Sequence, residues 1–236
     1  GANWDTGSAP ASATERGDGD VNVARNSLNG SNILIQDGDD LQAFAIQIGY
    51  EIPGTGGREI GSNTITMTGG SLTTQGGWLF NVGRGRNQDP NQLVQFNVSG
   101  GTVNAAGITI PEAYATDGIL GFTSTGINAE MHVSGDAVVN TDLLRLGARD
   151  ANSRMSISGN AQVNLTDDNN GFAPGALWIE AFESEVIGTS LLDIRDNGVL
   201  TVHGEWWTDE NEDGNRGAAT QSEADYIRDN YVANGW

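Results

Sequence analysis

One phrase recurs along this chain, and its recurrence constrains the fold more than any other property. In its clearest form it reads Val98-Ser99-Gly100-Gly101-Thr102-Val103-Asn104. An earlier copy is Met67-Thr68-Gly69-Gly70-Ser71-Leu72-Thr73, and later ones are Val133-Ser134-Gly135-Asp136-Ala137-Val138-Val139-Asn140 and Ile157-Ser158-Gly159-Asn160-Ala161-Gln162-Val163-Asn164. Divergent copies, Ile35-Gln36-Asp37-Gly38-Asp39-Asp40-Leu41 and Ile194-Arg195-Asp196-Asn197-Gly198-Val199-Leu200-Thr201, lie toward the two ends. With Ile35, Met67, Val98, Val133, Ile157 and Ile194 taken as equivalent, successive copies are separated by 32, 31, 35, 24 and 37 residues. A period of roughly 20–50 residues belongs to solenoids, propellers and arrays.

The local chemistry selects among these. Before each copy stands a short run such as Gln95-Phe96-Asn97-Val98 or Arg154-Met155-Ser156-Ile157, apolar at every second position, which is the period of a half-buried strand. The Gly-Gly, Gly-Asp or Gly-Asn pair that follows accepts positive φ, so the chain turns there. A second short strand comes next, then a further apolar run: Trp78-Leu79-Phe80-Asn81-Val82, Gly107-Ile108-Thr109-Ile110, Leu143-Leu144-Arg145-Leu146 or Ala176-Leu177-Trp178-Ile179. The unit is strand, corner, strand, strand and variable loop, with insertions expected at one corner of the coil. The expected fold is all-β, a parallel β-solenoid (β-helix) of about six coils. It spans residues 26–208, after a polar lead-in or cap at 1–25 and before an acidic loop and short C-terminal helix at 209–236. That helix covers Ser222 to Val232, with Ser222 as its N-cap and Glu223 and Asp225 in its first turn. It is expected to cap the solenoid or contact another subunit.

Charge excludes several functions. The 236 residues hold 31 Asp and Glu against 11 Lys and Arg, a net charge of −20. Nucleic acid and anionic membrane surfaces both demand cationic partners, so neither is expected. There is no cysteine, hence no disulfide or thiolate chemistry. No apolar run approaches the roughly 20 residues of a membrane span. The chain starts Gly1-Ala2-Asn3-Trp4 without an initiator methionine, as a processed or truncated terminus would.

The acidic residues cluster, and carboxylates at alternate positions are calcium-like ligands. The most specific set is Asp209, Asn211 and Asp213 before Gly214, with oxygen ligands at positions one, three and five and glycine at six, half of an EF-hand-type loop; its twelfth position is Thr220 and not Glu. Asp37 and Asp39 at the first corner, and Asp18 and Asp20 near the N-terminus, are the other calcium candidates, with ordinary acidic turns as the alternative at each. Arg16-Gly17-Asp18 reads as an incidental triplet. Arg84, Arg86, Arg145, Arg149 and Arg154, with Asp142 and Asp150, either line a shallow groove for an anionic sugar or form exposed ion pairs. His132 and His203 should point outward from strands, without metal partners. No carboxylate set repeats at the coil period, so no catalytic residue is nominated.

The Val-Ser-Gly-Gly-Thr-Val-Asn and Leu-Arg-Leu-Gly phrases resemble the autotransporter-associated β-strand repeat. The chain is also similar to the solenoid ectodomains of secreted bacterial proteins with PEP-CTERM sorting tails, whose mature start Ala2-Asn3-Trp4-Asp5 resembles. The resemblance covers residues 30–205 and implies export and a role at the cell surface or in the matrix. Three functions are then weighed. The first is a non-enzymatic extracellular structural protein that assembles with itself, end to end and with calcium support; Trp4, Trp206, Trp207 and Trp236 lie near the two ends of the chain. The second is a carbohydrate-binding or adhesion module using Trp78, Trp178, Tyr50 or Tyr114. The third is a polysaccharide lyase or hydrolase.

Overall fold

The computed structural model describes residues 20–23, 31–50, 62–74, 80–84, 93–111, 128–147, 152–166, 176–179, 189–202, 205–206 and 221–222. Its strands repeat the order expected from the sequence. β1 (Asp20–Val23) precedes a first coil of β2 (Ser31–Ile35), β3 (Asp40–Ala43) and β4 (Ala45–Tyr50). The second is β5 (Asn63–Met67), β6 (Ser71–Thr74) and β7 (Phe80–Arg84); the third is β8 (Val94–Val98), β9 (Thr102–Ala105) and β10 (Ile108–Ile110). The fourth is β11 (Asn128–Val133), β12 (Val138–Thr141) and β13 (Leu143–Leu146), and the fifth β14 (Asn152–Ile157), β15 (Gln162–Leu165) and β16 (Ala176–Ile179). The last has β17 (Ser190–Ile194) and β18 (Val199–Val202), followed by the short antiparallel pair β19 (Glu205–Trp206) and β20 (Gln221–Ser222).

Equivalent strands of successive coils pair in parallel and build three walls of six strands each. The first wall runs β2-β5-β8-β11-β14-β17, the second β3-β6-β9-β12-β15-β18 and the third β1-β4-β7-β10-β13-β16. This is a parallel β-solenoid. The six residues that mark the sequence copies fall into one continuous register, Ile35↔Met67↔Val98↔Val133↔Ile157↔Ile194. Unequal intervals between copies therefore leave the stacking undisturbed.

Alternation decides what fills the interior. On the first wall Ile65, Phe96, Met131 and Met155 form one inward row beside the marker row; Leu72, Val103, Val139 and Val163 face them from the second wall, and Ile46, Phe80, Ile108 and Leu144 from the third. Fully burying one such side chain is worth about 1.5–3 kcal/mol. Phe80 and Phe96, both wholly buried, meet at 4.9 Å between ring centres in the interior of the second and third coils.

The corner between first and second walls comes in two lengths. In the second and third coils it is Thr68–Gly70 or Ser99–Gly101; elsewhere it carries one residue more, as in Ser134–Ala137. The longer corners close as β-turns, with Ala137 N–H donating to Ser134 C=O and Ala161 N–H to Ser158 C=O. Both lengths return the chain to the same register, since Leu72 pairs with Val103 and Val103 with Val139. Gly101 shows why glycine is needed inside the stack. Its φ is +81°, and a Cβ there would sit 2.4 Å from the Gly70 carbonyl oxygen. In the last coil Asp196 takes the left-handed turn instead, at φ 57°, a conformation that Asp tolerates better than most residues.

Two expectations need correction or delimiting. Variable loops were expected at one corner, but residues are also inserted between the second and third walls, where β15 ends at Leu165 and β16 starts at Ala176, while β12 and β13 are separated by Asp142 alone. The helix from Ser222 to Val232 lies outside the described residues except for Ser222, which ends β20.

Candidate functional site

The inward rows are mainly apolar, with Asn63, Ser153, Thr74 and Thr141 as buried polar members. Most polar and charged side chains stand on the outward rows, where the three walls differ. The first wall presents Gln95↔Glu130↔Arg154 in one row and Asn97↔His132↔Ser156↔Asp193 in the next. Glu130 Oε2 accepts a hydrogen bond from Gln95 Nε2 at 3.0 Å and lies 2.8 Å from His132 Nε2. His132 Nδ1 lies 2.7 Å from Ser156 Oγ. A carboxylate can only accept, so Nε2 carries the imidazole proton and, in the neutral ring, Nδ1 accepts the serine hydroxyl. Burial alone would raise the Glu130 pKa; the hydrogen bonds from His132 and Gln95 and the charges of His132 and Arg154 outweigh it and hold the carboxyl below its ordinary value. Across the next rung Arg154 stands 3.6 Å from Asp193, which Arg195 also contacts. The hydrogen bond from Arg195, with the charges of both arginines, lowers the Asp193 pKa against a smaller opposing effect of burial.

A hydroxyl, imidazole and carboxylate in sequence are the elements of nucleophile activation. Here the imidazole and carboxylate lie partly exposed on the outer face of the sheet, with the hydroxyl on the next coil. The network ties adjacent coils together. It was missed in the sequence because Glu130, His132 and Ser156 look unrelated there. The signal was present in the 24-residue interval, which makes His132 and Ser156 rung neighbours.

The second wall is of a different character. Its outward rows are Asp40↔Ser71↔Thr102↔Val138↔Gln162↔Val199 and Gln42↔Thr73↔Asn104↔Asn140↔Asn164↔Thr201. Asn164 Nδ2 donates to Asn140 Oδ1 at 3.0 Å, and Asn140 Nδ2 to Asn104 Oδ1 at 2.9 Å. A parallel ladder at the adjoining corner joins Asn197 to Asn160 and Asn160 to Asp136. On the third wall the outward row Gln47↔Asn81↔Thr109 is buried as deeply as the core. Thr109 Oγ1 donates to Asn81 Oδ1, while Asn81 Nδ2 and Gln47 Oε1, on adjacent strands, have no hydrogen-bond partner.

The residues singled out in the sequence are dispersed by the fold. Arg145 faces outward from the third wall and Arg154 from the first, so the two do not share the groove expected for an anionic sugar. Asp142 is buried at the corner after the second wall and accepts from Thr166 Oγ1 at 2.7 Å. Arg84 ends β7, Tyr50 ends β4 and Trp178 lies in β16. Arg86, Arg149, Asp150, Trp78, Tyr114 and His203 lie outside the described residues. His132 points outward as expected, yet is anchored at both ring nitrogens.

Of the calcium candidates, Asp18, Asp209, Asn211 and Asp213 lie outside the described residues, and Asp20 opens β1. Asp37 and Asp39 stand exposed at the first corner. Asp39 Oδ2 accepts the Gln36 N–H at 2.9 Å, and the Asp37 carboxylate rests against Gly69. The neighbouring Asp40 accepts from Ser71 Oγ and from Gln42 Nε2. Asp39 thus closes the turn and Asp40 ties β3 to the next coil, and among the described residues no three acidic or histidine side chains converge on a common point. Comparison with protein-family profiles, with curated proteins and with solved structures finds no match.

The last feature is the end of the stack. Ile194 belongs to the marker row, whose members Met67, Val98, Val133 and Ile157 are wholly buried, yet 47 % of it is exposed. Leu192, Leu200 and Val202 beside it are only partly covered. At the opposite end Ile35, Leu41 and Ala43 are buried. β17 and β18 are the terminal strands of their walls, with one edge of each unpaired among the described residues.

Proposed function

We propose that this chain is a non-enzymatic structural module of the bacterial exterior that assembles with copies of itself through its last coil. The observation that supports this is the half-exposed Ile194 at the end of an otherwise buried column. A solenoid coil buries its apolar row only when another coil stacks on it, and β17 and β18, each with one edge unpaired among the described residues, offer the matching backbone ladder. A second copy supplies both. The unequal ends favour a stepwise, oriented joint over indiscriminate sticking.

Charge regulates the joint. Each copy carries a net charge of −20, so association works against Coulomb repulsion that salt and divalent cations screen. Calcium support is part of the proposal on this ground and through the ligand pattern of Asp209, Asn211 and Asp213. Export to the surface follows from the repeat resemblance and is part of the same reading.

Sedimentation velocity and negative-stain electron microscopy, in low salt, in added calcium and in excess chelator, test it. Oligomers or fibres should grow with calcium or salt, and Ile194→Asp should abolish them while leaving the circular dichroism spectrum unchanged. Monodisperse single rods at all concentrations with calcium present would overturn the reading. Assembly that persists in Ile194→Asp would relocate the joint.

A further inference from the structure

We infer that the outer face of the second wall binds an uncharged polysaccharide. The chain as a whole is strongly acidic, yet from β6 to β18 this wall contains no ionisable residue: its strands read Ser71–Thr74, Thr102–Ala105, Val138–Thr141, Gln162–Leu165 and Val199–Val202. The single carboxylate on the face is Asp40, in the first coil. The first wall, built by the same repeat, carries Glu130, Arg154, His132 and Asp193 over the same coils.

What the second wall offers in place of charge is an ordered set of neutral hydrogen-bonding groups. Thr73, Asn104, Asn140, Asn164 and Thr201 stand in one half-exposed row, and Ser71, Thr102 and Gln162 in the row beside it. Successive rungs are about 4.8 Å apart, close to the length of one sugar ring along an extended chain. Each carboxamide has two N–H donors and two acceptor lone pairs. In the ladder Asn140 uses one donor toward Asn104 and one acceptor toward Asn164, leaving one of each for a hydroxyl group. The ladder also holds the side chains in one rotamer before any ligand arrives, so little rotamer freedom is lost on binding.

Charge selects the occupant. Polyanions such as nucleic acid or uronate polymers would be repelled by the rest of the molecule, which carries a net charge of −20. A neutral polymer does no net Coulomb work on approach. Without an aromatic platform each sugar is held weakly, and retention comes from many rungs engaged by one polymer.

The test is depletion of the purified protein from solution by microcrystalline cellulose and by insoluble β-1,3-glucan, with calcium alginate beads as the polyanionic control. Wild-type protein should partition onto at least one neutral glucan and not onto alginate, and retention should survive high salt. Asn140→Asp removes both amide N–H donors and sets a carboxylate against the Asn104 oxygen, breaking the ladder, and Thr102→Glu sets a bulky side chain across the neighbouring row. Each leaves the inward rows intact and should lower retention at least about tenfold, the factor set by a single lost contact of moderate size. Glu130→Gln on the first wall should leave it unchanged, as should Ile194→Asp, which separates this inference from the self-assembly reading. Absence of retention on both neutral glucans would overturn it. So would equal retention of Asn140→Asp, Thr102→Glu and wild type. Dimerisation lost in Thr102→Glu without any glucan retention would assign the face to self-contact instead.

Discussion

The fourth and sixth coils obey the same pattern and have different fates. Val133 and Ile194 occupy equivalent positions in one register, point to the same interior and follow the same alternation, but the first is wholly buried and the second 47 % exposed. The corners repeat the contrast. Gly101, inside the stack, has the preceding corner packed against it, whereas Gly38, at φ +87° in the first coil, has nothing within 4 Å of the place a Cβ would take. In a solenoid, then, sequence sets the direction of a side chain, and the neighbouring coil decides its energy.

Substitutions at matched positions should separate these two contributions. The largest effect is expected for Gly101→Ala, which combines a left-handed backbone with a clash against the Gly70 and Gly69 backbone and the Met67 methyl group. It should lower unfolding stability by about 3 kcal/mol or more, or prevent folding. Gly38→Ala should cost only the left-handed strain, about 1–2 kcal/mol. Equal losses from the two in urea titrations would show that the stacked corner has no steric role.

Core truncation gives the next contrast. Phe96→Ala should cost about 3–5 kcal/mol, while Ile194→Ala, already half solvated, should cost about 1 kcal/mol. Amide exchange should follow the same order, with β11 and β14 protected longest and β17 and β18 opening first. Asn140→Ala removes two ladder bonds on a partly hydrated face and should cost about 1 kcal/mol. A loss as large as that of Phe96→Ala would mean that the outward ladder carries the fold.

The smallest effect concerns pH. The folded-state pKa of Glu130 is depressed, so its contribution is present above the unfolded value of about 4.3 and fades as pH falls through the lower folded value. Thermal melts of wild type should therefore lose stability on acidification in that range more steeply than melts of Glu130→Gln. Parallel curves would show that the contacts of Glu130 with Gln95 and His132 do not couple to folding.

Much of this architecture was legible. Alternation around Phe96 and Met155 fixed which residues face inward, and the glycine pairs marked corners whose backbone does turn left-handed. Intervals alone sufficed to align Ile35 through Ile194, because parallel stacking leaves no freedom of register once the inward rows match. Contacts between coils were harder to read. Asp142 looked like a surface charge and is a buried corner residue; Arg145 and Arg154 looked like neighbours and lie on separate walls. Proximity along the chain misled where a corner intervened. The neutrality of the second wall was also in the letters, but it becomes a property only when short segments from successive coils are laid side by side.

The asparagine ladders have a polarity. Asp136 can only accept, so Asn160 must donate to it, and Asn197 must in turn donate to Asn160. Asn164, Asn140 and Asn104 on the adjoining wall, and Asn152 above Asn128, run the same way. Each of these bonds thus runs from an N–H on the later coil to an oxygen on the earlier one. Their dipoles add along the axis, as peptide dipoles do in a helix. The rod is therefore electrically directional on its surface, and a coil offered upside down to the last rung would meet like poles facing each other.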